Sequence, residues 1–160
     1  MEAVIFMFCL TLHNIEEALW LTDWRKENMP NIRRAPEKAH FIFAAFGITV
    51  LGYLTGGLYL LLPESKCFEY AFIGFVGAML INAVAPHLIL SIVYKKFCPG
   101  VFTGCFLIMP FHILILLNAL KGTITITEML ISVVVVGLIL LGSIPILESI
   151  AKTILNKGRK

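Results

Sequence analysis

Apolar residues do not alternate with polar ones along this chain. They come in five long blocks, each closed by a short polar break. The blocks run from Ala3 to Leu21, His40 to Leu62, Tyr70 to Tyr94, Val101 to Leu120 and Met129 to Ala151. A helix crossing the roughly 30 Å hydrocarbon core of a bilayer takes about 20 residues, which is the size of each block. Three of the four connections, PESKCFE, KKFCPG and KGTITITE, have only six to eight residues. Connections that short join antiparallel neighbours. The pattern predicts an all-α, polytopic, five-helix up-and-down transmembrane bundle. Residues 1–151 form its single domain, and 152–160 a basic tail.

Composition agrees. Of the 160 residues, 59% are hydrophobic and 14% charged, against about 45–50% and about 25% in soluble domains. A soluble chain of this size could not hide so much apolar surface in one core. The first polar connection, the third and the C-terminal tail hold eleven of the thirteen Lys and Arg: Arg25, Lys26, Arg33, Arg34, Lys38, Lys95, Lys96, Lys152, Lys157, Arg159 and Lys160. Only Lys66 and Lys121 lie at the other end. The positive-inside rule then predicts an outside N-terminus and a cytoplasmic C-terminus, and the small size with many Ile and Lys fits a bacterial inner or plasma membrane. These basic residues are spread over loops, not pooled on one amphipathic element, so nucleic acid is not an expected partner. The bilayer is, and a homo-oligomer is an open option. The chain opens Met1-Glu2 without a basic n-region, so its first block is expected to be a retained span, not a cleaved signal. Cys9, Cys67, Cys98 and Cys105 show no metal or disulfide spacing. Two GxxxG pairs, Gly52/Gly56 and Gly100/Gly104, predict close helix approaches, within one subunit before a dimer.

One element breaks the apolar pattern, the run LHNIEEALW from Leu12 to Trp20. His13, Glu16 and Glu17 stand at i, i+3 and i+4 and so share a helix face, which Trp20 and Trp24 continue. A carboxylate at the bilayer centre costs about 2.5–3.5 kcal/mol even on lenient scales. Both must therefore face protein or water. With no lysine or arginine inside the blocks, the partners on offer are Asn82, His87, His112 and Thr103. At about 1.5 Å per residue from each helix's basic end, Glu17 lies near 9 Å and His87 near 10 Å, while His13 lies near 15 Å, Asn82 and His112 near 18 Å, and Thr103 near 5 Å. Asn82 and His87 are five residues apart, about 140° around a regular helix, and Pro86 between them offers a bend that would bring them together. His112 alone reads as a packing residue, and His40 as interfacial.

These residues resemble the HXXEE-domain family of small integral membrane proteins. His13-Asn14-Ile15-Glu16-Glu17 matches its signature, Asn82 with His87 its asparagine–histidine pair, and Pro99-Gly100-Val101-Phe102-Thr103 its Pro-Gly followed by threonine. The family's pair has three intervening residues where this chain has four, and Pro86 could absorb the extra one. The resemblance implies site residues without a reaction.

Four functions fit such a set. His13, Glu17 and His87 are three candidate ligands for a divalent metal such as zinc or iron, with Glu16 as general base. The same groups without metal would form an acid/base pair. Intramembrane His and Glu also serve proton or cation transport, and a buried polar network can simply lock a bundle. The leading expectation is a membrane-embedded enzyme acting on a lipid-like substrate. Glu16 or Glu17 would be acid or base, His13 and His87 ligands or proton partners, and Asn82 and Thr103 orienting groups. No phosphate-cradling loop, GxSxG elbow or HExxH is present.

Overall fold

The computed structural model describes residues 1–29, 37–122 and 124–157. Five helices long and apolar enough to cross a bilayer make up the described chain. They are α1 (Glu2–Asn28), α2 (Lys38–Leu61), α3 (Lys66–Tyr94), α4 (Val101–Lys121) and α5 (Ile126–Lys157). Each expected block became one helix, and most run further than the apolar residues alone. Arg25 and Lys26 occupy the last turn of α1, where cations complement the helix C-terminus. Helix α5 continues as far as Lys157, through residues expected to form the tail. Arg33, Arg34, Arg159 and Lys160 lie outside the described residues.

Helix α1 is the axis of the bundle. It packs along α2 on one side and reaches α3 and α4 on the other, while α5 packs on α2 and α3. Phe6 of α1 meets the edges of Phe72 and Phe75, both at 5.3 Å between centroids, and Tyr59 stacks on Phe72 at 4.4 Å. Leu10, Val76, Met79, Ala83 and Ile108 extend this core toward the basic end. The first GxxxG pair works inside the subunit: a Cβ on Gly52 would run into Leu10, and one on Gly56 would touch Met7 at 3.4 Å.

Helices α3 and α4 are both interrupted by wide turns, over Ala83–Leu88 and Gly104–Ile108. In the first, Ala85 leaves helical geometry altogether (φ −124°, ψ 106°) ahead of Pro86, which has no N–H to donate; the Ala85–Pro86 peptide is cis. The α3–α4 connection then folds inward: Cys98, Pro99 and Gly100 are buried. This changes the expected depths. Thr103 was placed well above His13, yet the two side chains touch, because α4 begins inside the bundle at the level of Glu16.

Gly52→Leu should overpack the α1–α2 seam and lower stability by about 1–3 kcal/mol. Thermal unfolding in detergent measures the loss. It should not vary with protein concentration, as loss of a dimer contact would.

Candidate functional site

The site begins with Glu16. Its Oε1 accepts the Gly100 N–H at 2.7 Å, and its Oε2 accepts the Thr103 N–H at 2.9 Å and the Thr103 hydroxyl at 2.6 Å. A helix leaves its first N–H groups without internal partners, and its N-terminus attracts negative charge. Glu16 supplies to α4, across the bundle, the cap that α4 lacks locally. Gly100 is needed for this geometry. It sits at φ +95°, and a Cβ there would stand 2.6 Å from His87 Nδ1.

Thr103 passes the constraint to His13. Its single hydroxyl hydrogen goes to Glu16, so its oxygen can only accept from His13 Nδ1, 2.9 Å away. His13 therefore carries its proton on Nδ1, and Nε2 is left as a lone pair. His87 follows the same logic with a softer partner. Its Nδ1 lies 4.0 Å from Cys98 Sγ, while that thiol faces the Pro99 carbonyl at 3.7 Å. The sulfur is placed to accept from Nδ1–H, which turns His87 Nε2 toward Glu17.

Both Nε2 atoms converge on Glu17 Oε1. His13 Nε2 is 3.2 Å from it, and His87 Nε2 is in direct contact. The rings stand edge to face, 5.1 Å between centroids. Asn82 closes the group: its Nδ2 lies 3.1 Å from His13 Nε2 and 3.4 Å from both Glu17 Oε1 and His87 Nε2. Three atoms able to bind a proton or a cation thus crowd one amide that has only two hydrogens to give. Among the described residues this is the His/Cys/Asp/Glu cluster with ligand atoms close enough, within 4.8 Å, to share a metal ion. His13 and His87 are fully buried, whereas Glu17 retains some exposure.

That exposure opens on a lateral cavity of about 400 Å³ among α1, α2, α3 and α5. Its walls are apolar, Ile48, Val134 and Leu141 among them, and its polar lining is Asn14, Glu17 and Asn82. The volume falls within the roughly 300–1,000 Å³ range of small-molecule sites.

Five of the six expected site residues surround the ligand cluster: His13, Glu17, Asn82, His87 and Thr103. The bend at Ala85–Pro86 does bring Asn82 and His87 together. Glu16 points away from the cluster and spends its hydrogen bonds on the α4 N-terminus, so the geometry gives it a clamp's position instead of a general base's. His112 stays apart, donating from Nδ1 to the Val76 carbonyl at 3.0 Å and packing on Phe6. Sequence reasoning passed over Cys98 and Asn14. Asn14 carried a readable signal, as a polar residue three positions before Glu17; Cys98 carried only its place before Pro99-Gly100.

Thr103→Val keeps the shape and deletes the bridge between Glu16 and His13. It should cost about 1–3 kcal/mol, the penalty for buried groups left unpaired, and release the His13 tautomer. Thermal unfolding and ¹⁵N NMR of the imidazole check the two effects, and Thr103→Ser should preserve both.

The match to known sequences runs through these elements. Residues 4–115 fit a family described as protein of unknown function with HXXEE motif. The chain is 44% identical over 143 residues to the uncharacterized protein YrkK of Bacillus subtilis (strain 168), covering 89% of this chain and 90% of that one. No solved structure matches it. With its signature at His13-Asn14-Ile15-Glu16-Glu17 and the matched segment spanning most of its length, the chain belongs to the HXXEE-motif family.

Proposed function

We propose that this protein is a membrane-embedded enzyme with a divalent-metal site at His13, Glu17 and His87, acting on a lipid-like substrate that enters sideways through the cavity. One observation carries the reading. Two imidazole Nε2 atoms and a carboxylate oxygen are brought together, with the Nδ1 of each ring turned to a partner of its own. Lone-pair atoms at such separations repel unless a proton or a cation lies between them. Metal-binding histidines characteristically donate their other N–H to a fixed partner, as His13 does to Thr103. Three protein ligands with a fourth position open is the pattern of catalytic zinc sites.

A divalent ion held there would act as a Lewis acid on a substrate oxygen or on a bound water. The chain's own groups have distinct jobs. Glu17 makes its contacts to His13, His87 and Asn82 through Oε1. Its other oxygen, at the cavity wall, is the group to take or give a proton. Asn82 orients the acceptors, and the apolar walls exclude water, which strengthens every charge interaction inside. Glu16 fixes the frame and takes no proton. The uneven Lys and Arg distribution supports a cytoplasmic basic end and an outside N-terminus, and the similarity to a Bacillus subtilis protein supports a bacterial plasma membrane.

A second reading has a specific observation behind it. Asn82 already bridges His13, Glu17 and His87, so the group could be a locking network without chemistry. Elemental analysis and calorimetric titration of chelator-washed protein separate the two. The enzyme reading expects about one zinc, iron or manganese per chain, lost in His13→Ala and His87→Ala. Glu16→Gln should retain the metal with affinity lowered about 10–100-fold, as for residues that orient ligands. Absence of metal binding in the folded parent would leave the locking network.

A further inference from the structure

Asn14 is a built polar anchor that the cluster does not use. It is 6% exposed, and its Nδ2 donates to Thr49 Oγ1 at 2.8 Å and to the Ala45 carbonyl at 3.4 Å. Thr49 spends its own hydroxyl hydrogen on that same carbonyl, at 2.9 Å. Only an N–H of Asn14 can therefore face the Thr49 oxygen, which fixes which way round the amide sits. Both amide hydrogens are held by α2, and Oδ1 accepts no hydrogen bond among the described residues. Asn14 lines the cavity, three residues from Glu17.

We propose that Asn14 Oδ1 is the binding group for the hydroxyl of a neutral amphiphile, a lipid alcohol whose hydrocarbon body fills the lateral cavity. The acceptor requires a donor on the ligand. Among the described residues the cavity wall contains no lysine or arginine and one carboxylate, so an anionic headgroup finds nothing there to pair with. The remaining lining is aliphatic or aromatic apart from Asn82, which suits a hydrocarbon body, and the position of Asn14 sets the hydroxyl within reach of the Glu17 side of the pocket. A site built to hydrogen-bond a hydroxyl discriminates against the analogue lacking it, because its own polar group would be left unpaired. The inference rests on the cavity being the substrate pocket of the proposed enzyme; it does not require the metal.

The test is competition binding of tritiated 1-hexadecanol to the purified full chain, chelator-washed and zinc-loaded. Hexadecane, hexadecanoate, hexadecyl phosphate and hexadecylamine serve as competitors. Hexadecanol should outcompete hexadecane by about tenfold, the worth of one buried hydrogen bond, and both anions by more. Asn14→Ala should erase the alcohol-over-alkane preference. Leu141→Trp, at the exposed cavity mouth, should weaken alcohol and alkane together without touching Asn14. Equal binding of alcohol and alkane by the parent overturns the proposal, as does tighter binding of an anion or of the amine. A preference present only with zinc also overturns it, by assigning the hydroxyl to the metal, and leaves the metal reading standing. A preference that persists in protein unable to bind zinc supports the anchor and removes the metal.

Discussion

The structure turns on one carboxylate buried against the start of a helix. Glu16 takes the N–H groups of Gly100 and Thr103 and the Thr103 hydroxyl. That contact joins α1 to α4 and holds the α3–α4 connection down inside the bundle. It also orders the donors beyond it. Because Thr103 gives its hydrogen to Glu16, His13 must give its own to Thr103, and the lone pair of His13 must face inward. One residue thus fixes a tautomer two hydrogen bonds away. A carboxylate in an apolar bundle is expensive, and three donors, all at the start of α4, are what offset that cost.

The second requirement is a break in α3. On a regular helix Asn82 and His87 would diverge; the wide turn over Ala83–Leu88, with Ala85 extended, brings their side chains to one point. It also leaves His87 Nδ1 facing the buried Cys98 of the inward loop. Wide turns of this kind are rare and tend to occur at functional sites. Here the second one, in α4, directly follows Thr103. Both interruptions therefore flank the cluster, while the helices run regularly through the aromatic core around Phe6. Regular helices at one end and irregular backbone at the other divide the bundle into an aromatic half and a half that holds the polar cluster.

Much of this was legible in the chain. Five apolar blocks gave five helices, since length and hydropathy alone decide which segments can cross a bilayer. The i, i+3, i+4 spacing placed His13, Glu16 and Glu17 on one side of α1, and the cost of burying them demanded partners. Spacing could not separate the two glutamates. A one-residue offset, about 100° around the helix, directs Glu16 to a helix end and Glu17 to the imidazoles, and that depends on where α4 begins. Counting residues from helix ends failed for Thr103 for the same reason, because an inward loop is invisible to a depth estimate. The spacing of Asn14 to Glu17 was readable, but its contacts to Thr49 and Ala45 on α2 were not, since no local pattern encodes them. Gly52 and Gly56 were read correctly as an internal contact because small residues at four-residue spacing let backbones approach wherever a bulky neighbour such as Leu10 is available.

The central claim is that this arrangement presents two Nε2 atoms and one carboxylate oxygen to a single divalent ion. X-ray absorption spectroscopy of the zinc-loaded, membrane-reconstituted protein addresses it most directly. The account predicts a first shell of nitrogen and oxygen at about 2.0–2.2 Å, with the outer-shell scattering of two imidazoles and no sulfur. A shell containing sulfur at about 2.3 Å, or one without imidazole scattering, would contradict it.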